Sequence, residues 1–352
     1  MTTFIASVFV FGILIFFHEF GHYLAAKAAG IKVYEFSLGF GPKLFGFVKG
    51  ETNYNLRSLP VGGFVRMAGM EPGEELSKED EDRSFNKKPV GKRIGVIVSG
   101  PLMNFFLAVI ILAVIFNFQG VPVPSESTRI GGVLPGYPAE GAGIAAGDEV
   151  LAVNGQRVEN WRQLVDLVNR MPERDIKVTV LRDGAQKTLD VKTIRDEDGL
   201  GKIGIYQSSD YVKPGFFASI ALGAEWTARV TIALMDFISK MIFGQAPPDL
   251  GGPVRVVSEI GKAAQVGFFF LLQIAAFLSI NLGLFNLFPI PALDGSRILF
   301  LIWEKIRGRP VDPVKENFIH LVGFGLLLLF IIVITYNDIM QLLVGEKLPG
   351  RQ

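Results

Sequence analysis

The chain has 352 residues, a net charge of +1, no cysteine, and 49% hydrophobic side chains, with a mean hydropathy of +0.38. The near-neutral charge excludes a strong electrostatic pull on nucleic acid, and the lack of cysteine excludes a disulfide framework, a thiolate metal site and a thiol nucleophile. Soluble domains seldom average so apolar, and the excess falls in Phe4–Ala26, Ile94–Phe118, Val266–Phe288 and Phe318–Tyr336, each about the roughly 20 residues that cross a bilayer as a helix.

The first apolar stretch (1–30) contains His18-Glu19-Phe20-Gly21-His22, an H-E-x-x-H motif. Positions i and i+4 of a helix share a face, so His18 and His22 can grip one metal ion. Glu19 stands beside them, where it can take a proton from an activated water. In a soluble protein the motif suggests a zinc hydrolase; within a span it points to hydrolysis inside a membrane. Ionisable groups at that depth are costly and mark function. The first Lys or Arg is Lys27, which disfavours a secretory signal peptide.

Residues 31–93 follow, with eleven Lys and Arg. Within them Tyr34–Met67 is too broken by glycine for a helix and too apolar for a solvated loop. It reads as β-hairpins dipping into the membrane, with Val61–Val65 a short strand after a turn. The acidic run Glu71–Asp82 reads as a solvated loop and nothing more. The second span (94–119) carries Asn104 close to Pro101, where it reads as a kink partner.

Residues 120–209 read as a separate β-rich domain. Asn154-Gly155 and Asp183-Gly184 are hairpin turns between alternating runs, and Asn160–Asn169 has helical spacing. The run Pro138–Ile144, continued by Gly147–Gly155, closely resembles PDZ domains of bacterial envelope proteases, which bind peptide ends by adding a strand beside a helix. Residues 210–265 contain Phe216–Phe243, apolar enough to pass for a fifth span. Its charges Glu225, Arg229, Asp236 and Lys240 fall within about 60° on a helical wheel and form two acid-before-base i, i+4 pairs. That stripe fits a helix lying in the interface.

The third span (266–295) ends in Asn286-Leu287-Phe288-Pro289-Ile290-Pro291-Ala292-Leu293-Asp294-Gly295. Pro289 and Pro291 break the helix there, and opened backbone at membrane depth must line protein or a water-filled cavity. A catalytic zinc needs a third protein ligand. His320, at the edge of the last span, reads as an interfacial histidine, and Asp294 is the better candidate. The last region (296–352) reads as a basic loop followed by the fourth span. By the positive-inside rule both basic loops are cytoplasmic, leaving the two termini and the β-rich domain outside. His18 lies about 14 residues, roughly 21 Å, into a span entering from outside. Asp294 follows a span of the same direction, so both lie toward the cytoplasmic side.

H-E-F-G-H, Ser99-Gly100-Pro101-Leu102-Met103-Asn104-Phe105 and N-L-F-P-I-P-A-L-D-G together resemble the site-2 protease family, nearest the bacterial regulator of sigma-E protease group. The likeness covers the whole chain and includes Phe36–Pro42 and Gly251-Gly252-Pro253. It implies an intramembrane metalloprotease holding Zn2+ through His18, His22 and Asp294, with Glu19 as base. Asn281 and Asn286 match family asparagines associated with the substrate backbone. It also implies a multi-pass protein of the bacterial cytoplasmic (inner) membrane. The implied partners are the lipid bilayer and membrane-anchored, single-span substrates trimmed beforehand, such as anti-sigma factors or signal-peptide remnants. Enterobacterial members carry two PDZ domains in tandem, and this chain has room for one. The expected fold is a polytopic α-helical membrane protein of four spans with membrane-associated β-hairpins and one extracytoplasmic PDZ domain. The alternatives are a metal transporter or an inactive scaffold with a PDZ tether. The second and third spans carry no charge along their apolar lengths, which disfavours a transport path.

Overall fold

The computed structural model describes residues 1–70, 73–196, 198–246 and 251–344. It divides into two compact units, one of Met1–Asn117 with Gly215–Gln352 and one of Phe118–Pro214.

The first unit opens with α1 (Thr2–Ala28), whose buried residues Ala6, Val10, Leu14, Gly21, His22 and Ala26 follow the helical repeat on one face. Next come β1 (Val33–Lys49) and β2 (Thr52–Met67), two long strands paired with each other. Leu38 sits between Gly63 and Leu56, and Phe45 also faces Leu56. Each strand therefore bends once, and the segment order across the sheet is 63–67, 33–38, 53–56, 45–49. The segment 63–67 is an edge. On the far side Leu44, Phe45, Phe47 and Val48 are exposed apolar side chains.

The acidic run departs from the solvated loop expected of it. Glu71 and Pro72 lie outside the described residues, but Glu74 and Asp80 are tied down. Glu74 accepts the Gly69 N–H at 2.8 Å. Lys78–Glu81 forms a helical turn, α2, capped by the Ser77 hydroxyl. Asp80 is buried, taking Lys32 Nζ at 2.6 Å and the Tyr34 hydroxyl at 3.2 Å. Those partners lie more than 40 residues away in sequence, so a local reading of charge density misses them.

α3 (Val90–Gln119) contains Pro101. Its first half joins α1, the sheet and a later helix in a core of Ala26, Ile31, Val33, Met67, Phe85, Val96, Ile97 and Leu301.

The second unit contains β3 (Val121–Pro124), β4 (Ile130–Val133), α4 (Pro138–Gly141), β5 (Glu149–Val153), β6 (Gln156–Arg157), α5 (Trp161–Asn169), β7 (Asp175–Arg182), β8 (Ala185–Lys192), β9 (Ile194–Arg195), β10 (Gly201–Lys202), β11 (Ile205–Gln207) and β12 (Ser209–Val212). Its main sheet has the order β6-β5-β7-β8, and β4 pairs with β11 and β3 with β12. Asn154 and Gly155 have φ of 50° and 80°, Asp183 and Gly184 φ of 52° and 79°, as the hairpin reading expects. Asn160 caps α5 by accepting the Gln163 N–H at 3.0 Å. The core is Ile130, Val150, Val153, Leu164, Ile176, Val178, Val180 and Val191.

The first unit resumes with α6 (Phe216–Ile242), α7 (Pro253–Val266), α8 (Phe268–Leu287), α9 (Asp294–Arg307) and α10 (Pro313–Val344). Among the described residues four helices are long and apolar enough to cross a membrane: α1, α3, α8 and residues 314–341 of α10. In α6 the expected pairs form, Glu225–Arg229 at 2.5 Å and Asp236–Lys240 at 2.7 Å, both exposed. Its opposite face packs on α3: a Cβ added to Gly223 would lie 2.7 Å from the Val109 carbonyl oxygen. The expected third-span segment, 266–295, is not one helix. α8 ends at Leu287, and Asp294 is the first residue of a new helix. The basic stretch after it, expected as loop, is largely that helix, α9. Leu301 joins its buried face to the core, and Gly308 ends it at φ 73°.

Candidate metal centre

α1 presents His18 and His22 one turn apart, with ring centroids 4.8 Å apart and planes at 85°. Their Nε2 atoms are 3.3 Å apart. α3 supplies the wall behind them. The helices approach closely because Gly21 has no side chain: a Cβ there would lie 2.8 Å from the Ser99 carbonyl carbon and 3.0 Å from Gly100 Cα. Across this seam His22 Nδ1 donates to the Val96 carbonyl at 2.9 Å. That bond places the proton on Nδ1 and leaves the Nε2 lone pair facing the site. Asn104 approaches His18 on the same side, its carboxamide 3.1 Å from Nδ1. Nδ2 is the atom that faces Nδ1, and Asn104 Oδ1 is buried without a partner among the described residues; exchanging the two amide atoms lets the oxygen accept the His18 Nδ1–H and fixes the matching tautomer. The kink-partner reading of Asn104 thus gives way to a contact with a candidate ligand. The neighbouring backbone is anchored as well, since Ser279 of α8 donates to the Asn104 carbonyl at 2.8 Å.

The third group arrives on the loop between α8 and α9. Asp294 Oδ2 lies 3.2 Å from His18 Nε2 and 3.3 Å from His22 Nε2. Gly295 permits the turn that delivers it. A Cβ there would strike the α8 end, with the Leu287 carbonyl carbon at 2.5 Å. Ser296 Oγ donates to Leu293 O at 2.7 Å, closing the first turn of α9.

These three atoms form the metal-ligating cluster found among the described residues. Oδ2 is buried without a hydrogen-bond donor, although both imidazoles are within ion-pair distance. With the ring protons directed outward, two nitrogen lone pairs and a carboxylate oxygen converge, an arrangement that repels itself unless a cation holds it. The spacing has the right size too. A tetrahedron with corners about 2.0 Å from its centre, the zinc–ligand distance, has edges of about 3.3 Å. Three protein ligands leave one corner open, the pattern of a catalytic rather than a structural zinc site. The residues present fit the ion.

Glu19, on the same helix, is half-buried, with the edge segment of β2 against it. A Cβ on Gly63 would lie 3.0 Å from Glu19 Cγ and 3.0 Å from Ile15 Cγ2. Only glycine lets that strand come so near.

The model of peptidase family M50 matches residues 6–330. The chain belongs to peptidase family M50. Regulator of sigma-W protease RasP of Bacillus subtilis (strain 168) is 37% identical over 425 residues, covering 97% of this chain and 99% of that protein. Probable protease eep of Enterococcus faecalis is 31% identical over 422 residues, covering 97% and 99%. The PDZ domain of an SdrC-like protein from Listeria innocua is similar to a quarter of the chain, with 22% identity, 100% coverage of that domain and a TM-score of 0.22. As a member of M50 the protein is a zinc-dependent metalloendopeptidase and a multi-pass membrane protein.

Asn281 and Asn286 are both on α8, and Asn281 Nδ2 donates to its own helix at Phe277 O, 2.8 Å away. For this M50 peptidase, sequence reasoning missed Val96, Gly100 and Asn104 as supports of the histidines. The motif Ser99–Phe105 was the available signal, and its physical content is interhelical contact.

Proposed function

We propose that this M50 peptidase hydrolyses peptide bonds within or near the transmembrane segments of membrane-anchored proteins, using His18, His22 and Asp294 to hold zinc and Glu19 as general base. One observation carries the reading: two imidazole nitrogens and a carboxylate oxygen from α1 and α9 meet 3.2–3.3 Å apart. Bound there, zinc would polarise the scissile carbonyl and make a water acidic. Glu19 takes the proton from that water and returns it to the departing amine nitrogen. The Val96 carbonyl and Asn104 keep both imidazoles in the ligating tautomer throughout.

A substrate helix hides its amide bonds and must unwind before Glu19 can act. The β2 edge at Gly62–Val65 lies against α1 beside Glu19 and offers unpaired backbone groups to an extended segment. Asn281 and Asn286 are assigned to the same task, their uncharged amides bonding the unwound backbone without adding charge in the bilayer. Unit 118–214 is assigned as a PDZ domain on the outer side, admitting single-span proteins whose external portion has already been cut. By the positive-inside rule the basic residues of 31–93 and of α9 support a cytoplasmic location for those regions, and the bacterial cytoplasmic membrane is the one proposed. A relative named for regulating sigma-W supports membrane-anchored anti-sigma factors as substrates, with signal-peptide remnants as a second class.

The test is cleavage of a transmembrane peptide by the purified protein in detergent, with and without a chelator, for wild type and Glu19→Gln. The expected outcome is chelator-sensitive cleavage by the wild type and a folded, zinc-loaded, inactive variant. Normal cleavage by Glu19→Gln would remove Glu19 from its role. Zinc uptake without any cleavage would favour the transporter reading.

A further inference from the structure

The third histidine of the chain does not lie idle at the interface. His320 is on α10, its side chain 16% exposed and its ring 5.7 Å from that of Phe300 on α9. Its Nδ1 accepts the backbone N–H of Ala292 at 3.1 Å. Ala292 has φ 78°, a left-handed conformation that is strained for an L-residue and persists only where its surroundings hold it. One turn along the same face of α10, Gly323 touches the preceding loop residue. A Cβ there would run into the Pro291 side chain, with Pro291 Cα and C both at 3.1 Å. Two residues of α10 therefore hold two consecutive residues of the loop, and two positions further on that loop delivers Asp294 to the histidines.

The ring's other nitrogen does not explain its placement. Because Nδ1 accepts, Nε2 carries the proton. It has no hydrogen-bond partner among the described residues, and the Glu316 oxygen is 3.9 Å away. His320 lines a cavity of about 640 Å3 together with Arg93, Arg297, Glu304 and Glu316. The short bond on His320 is the one to Ala292.

We propose that His320 is a positioning residue for this peptidase: by accepting the Ala292 N–H it holds the strained loop in the conformation that presents Asp294 to the metal. The proposal rests on the reading of Asp294 as a zinc ligand. It assigns the fourth helix a task in metal retention, through a residue that touches neither metal nor substrate.

The experiment measures zinc retention by purified full-length protein in detergent after addition of excess chelator, alongside the thermal midpoint of each metal-free form. His320→Leu, which removes the acceptor, is expected to release zinc on the order of 10- to 100-fold faster, the range for loss of a ligand's supporting hydrogen bond. His320→Asn places an amide oxygen where Nδ1 stands and is expected to hold zinc as the wild type does. The metal-free midpoints of the two variants should coincide, which a merely structural role would not produce. If the leucine variant does not fold, His320→Gln replaces it, because its amide oxygen falls one bond beyond the Nδ1 position. Unchanged release in the acceptor-removing variant overturns the role of His320, and so does an asparagine variant that leaks as fast. A wild type that binds no zinc would instead overturn the metal-site reading itself.

Discussion

Gly100→Ala is the sharpest single-methyl perturbation the site offers. A Cβ at this position of α3 would strike His22 Nε2, with Cε1 at 2.5 Å and Cδ2 at 2.8 Å. Carbon contacts are comfortable from about 3.5 Å, so the imidazole must retreat by roughly 1 Å. It has little freedom to do so, because its Nδ1–H is bonded to the Val96 carbonyl at 2.9 Å and the residue is buried. α3 cannot back away freely either, since Gly21 and Ser99 fix the seam one residue earlier. Metal sites tolerate ligand displacements of about 0.2 Å, so a shift of this size should lower zinc affinity by about 100-fold or more. The catalytic rate should fall by on the order of 100-fold even at saturating zinc. Gly95→Ala, on the same helix with open space around the added methyl, is the matched control and should be neutral or slightly stabilising. Zinc per chain after gel filtration and the cleavage rate of a transmembrane peptide are the two readouts. Full zinc occupancy and an unchanged rate in Gly100→Ala would refute the packing argument.

Further expectations concern other parts of the molecule. Asp294→Ala should lose zinc as well as activity, and metal analysis of the purified variant checks it; unchanged stoichiometry would mean that another residue is the ligand. In the β-rich unit the buried Asp148 carboxylate takes Arg182 Nε at 2.6 Å, Arg182 Nη2 at 2.7 Å and the Ala145 N–H at 3.0 Å. The Arg182 guanidinium holds its pKa below the ordinary aspartate value. Asp148→Ala removes the buried partner of that guanidinium and leaves the Ala145 N–H without its acceptor, and should destabilise the unit, seen as earlier proteolysis within 118–214 while zinc content stays constant. Glu51 joins Arg83 and Lys27 beside the end of α1, and those cations hold its pKa down to about 2 from an ordinary 4.5. Its contribution to stability is therefore fully present above about pH 4.5 and is lost as pH falls toward about 2. Hydrogen exchange of residues 49–53 against pH should show that acid limb in the wild type and a flatter one in Glu51→Gln.

How far the sequence reaches depends on whether a feature is set locally. His18, Glu19 and His22 were legible because helical geometry alone brings i and i+4 together. The turns at Asn154-Gly155 and Asp183-Gly184 were legible because positive φ selects those residue types. The charged stripe of α6 was legible from angular arithmetic. Asp294 needed Pro289 and Pro291, which announce a helix break, together with the likeness to a known family. What stayed hidden is interhelical. Nothing in the local sequence tells which carbonyl His22 will meet 74 positions later, or that the Asn104 amide will turn toward His18 rather than serve Pro101. His320 reads as an interface residue because its bond to Ala292 joins α10 to a loop 28 positions earlier in the chain. The run near Asp80 looked solvated because Lys32 is remote in sequence. Most of α9 reads as loop from its charges, because the burial that anchors its apolar face through Leu301 is set by residues remote in sequence.

Zinc K-edge X-ray absorption of the purified, metal-loaded Glu19→Gln variant examines the ion's own surroundings without turnover. Two imidazole nitrogens at about 2.0–2.1 Å and carboxylate oxygen at about 2.0–2.2 Å are the expected shell, with one imidazole missing in His22→Ala and the carboxylate missing from whatever zinc Asp294→Ala takes up in excess metal. A shell unchanged by both substitutions, or a purified protein that takes up no zinc, would contradict the assignment of α1 and α9 as the two sides of one metal centre.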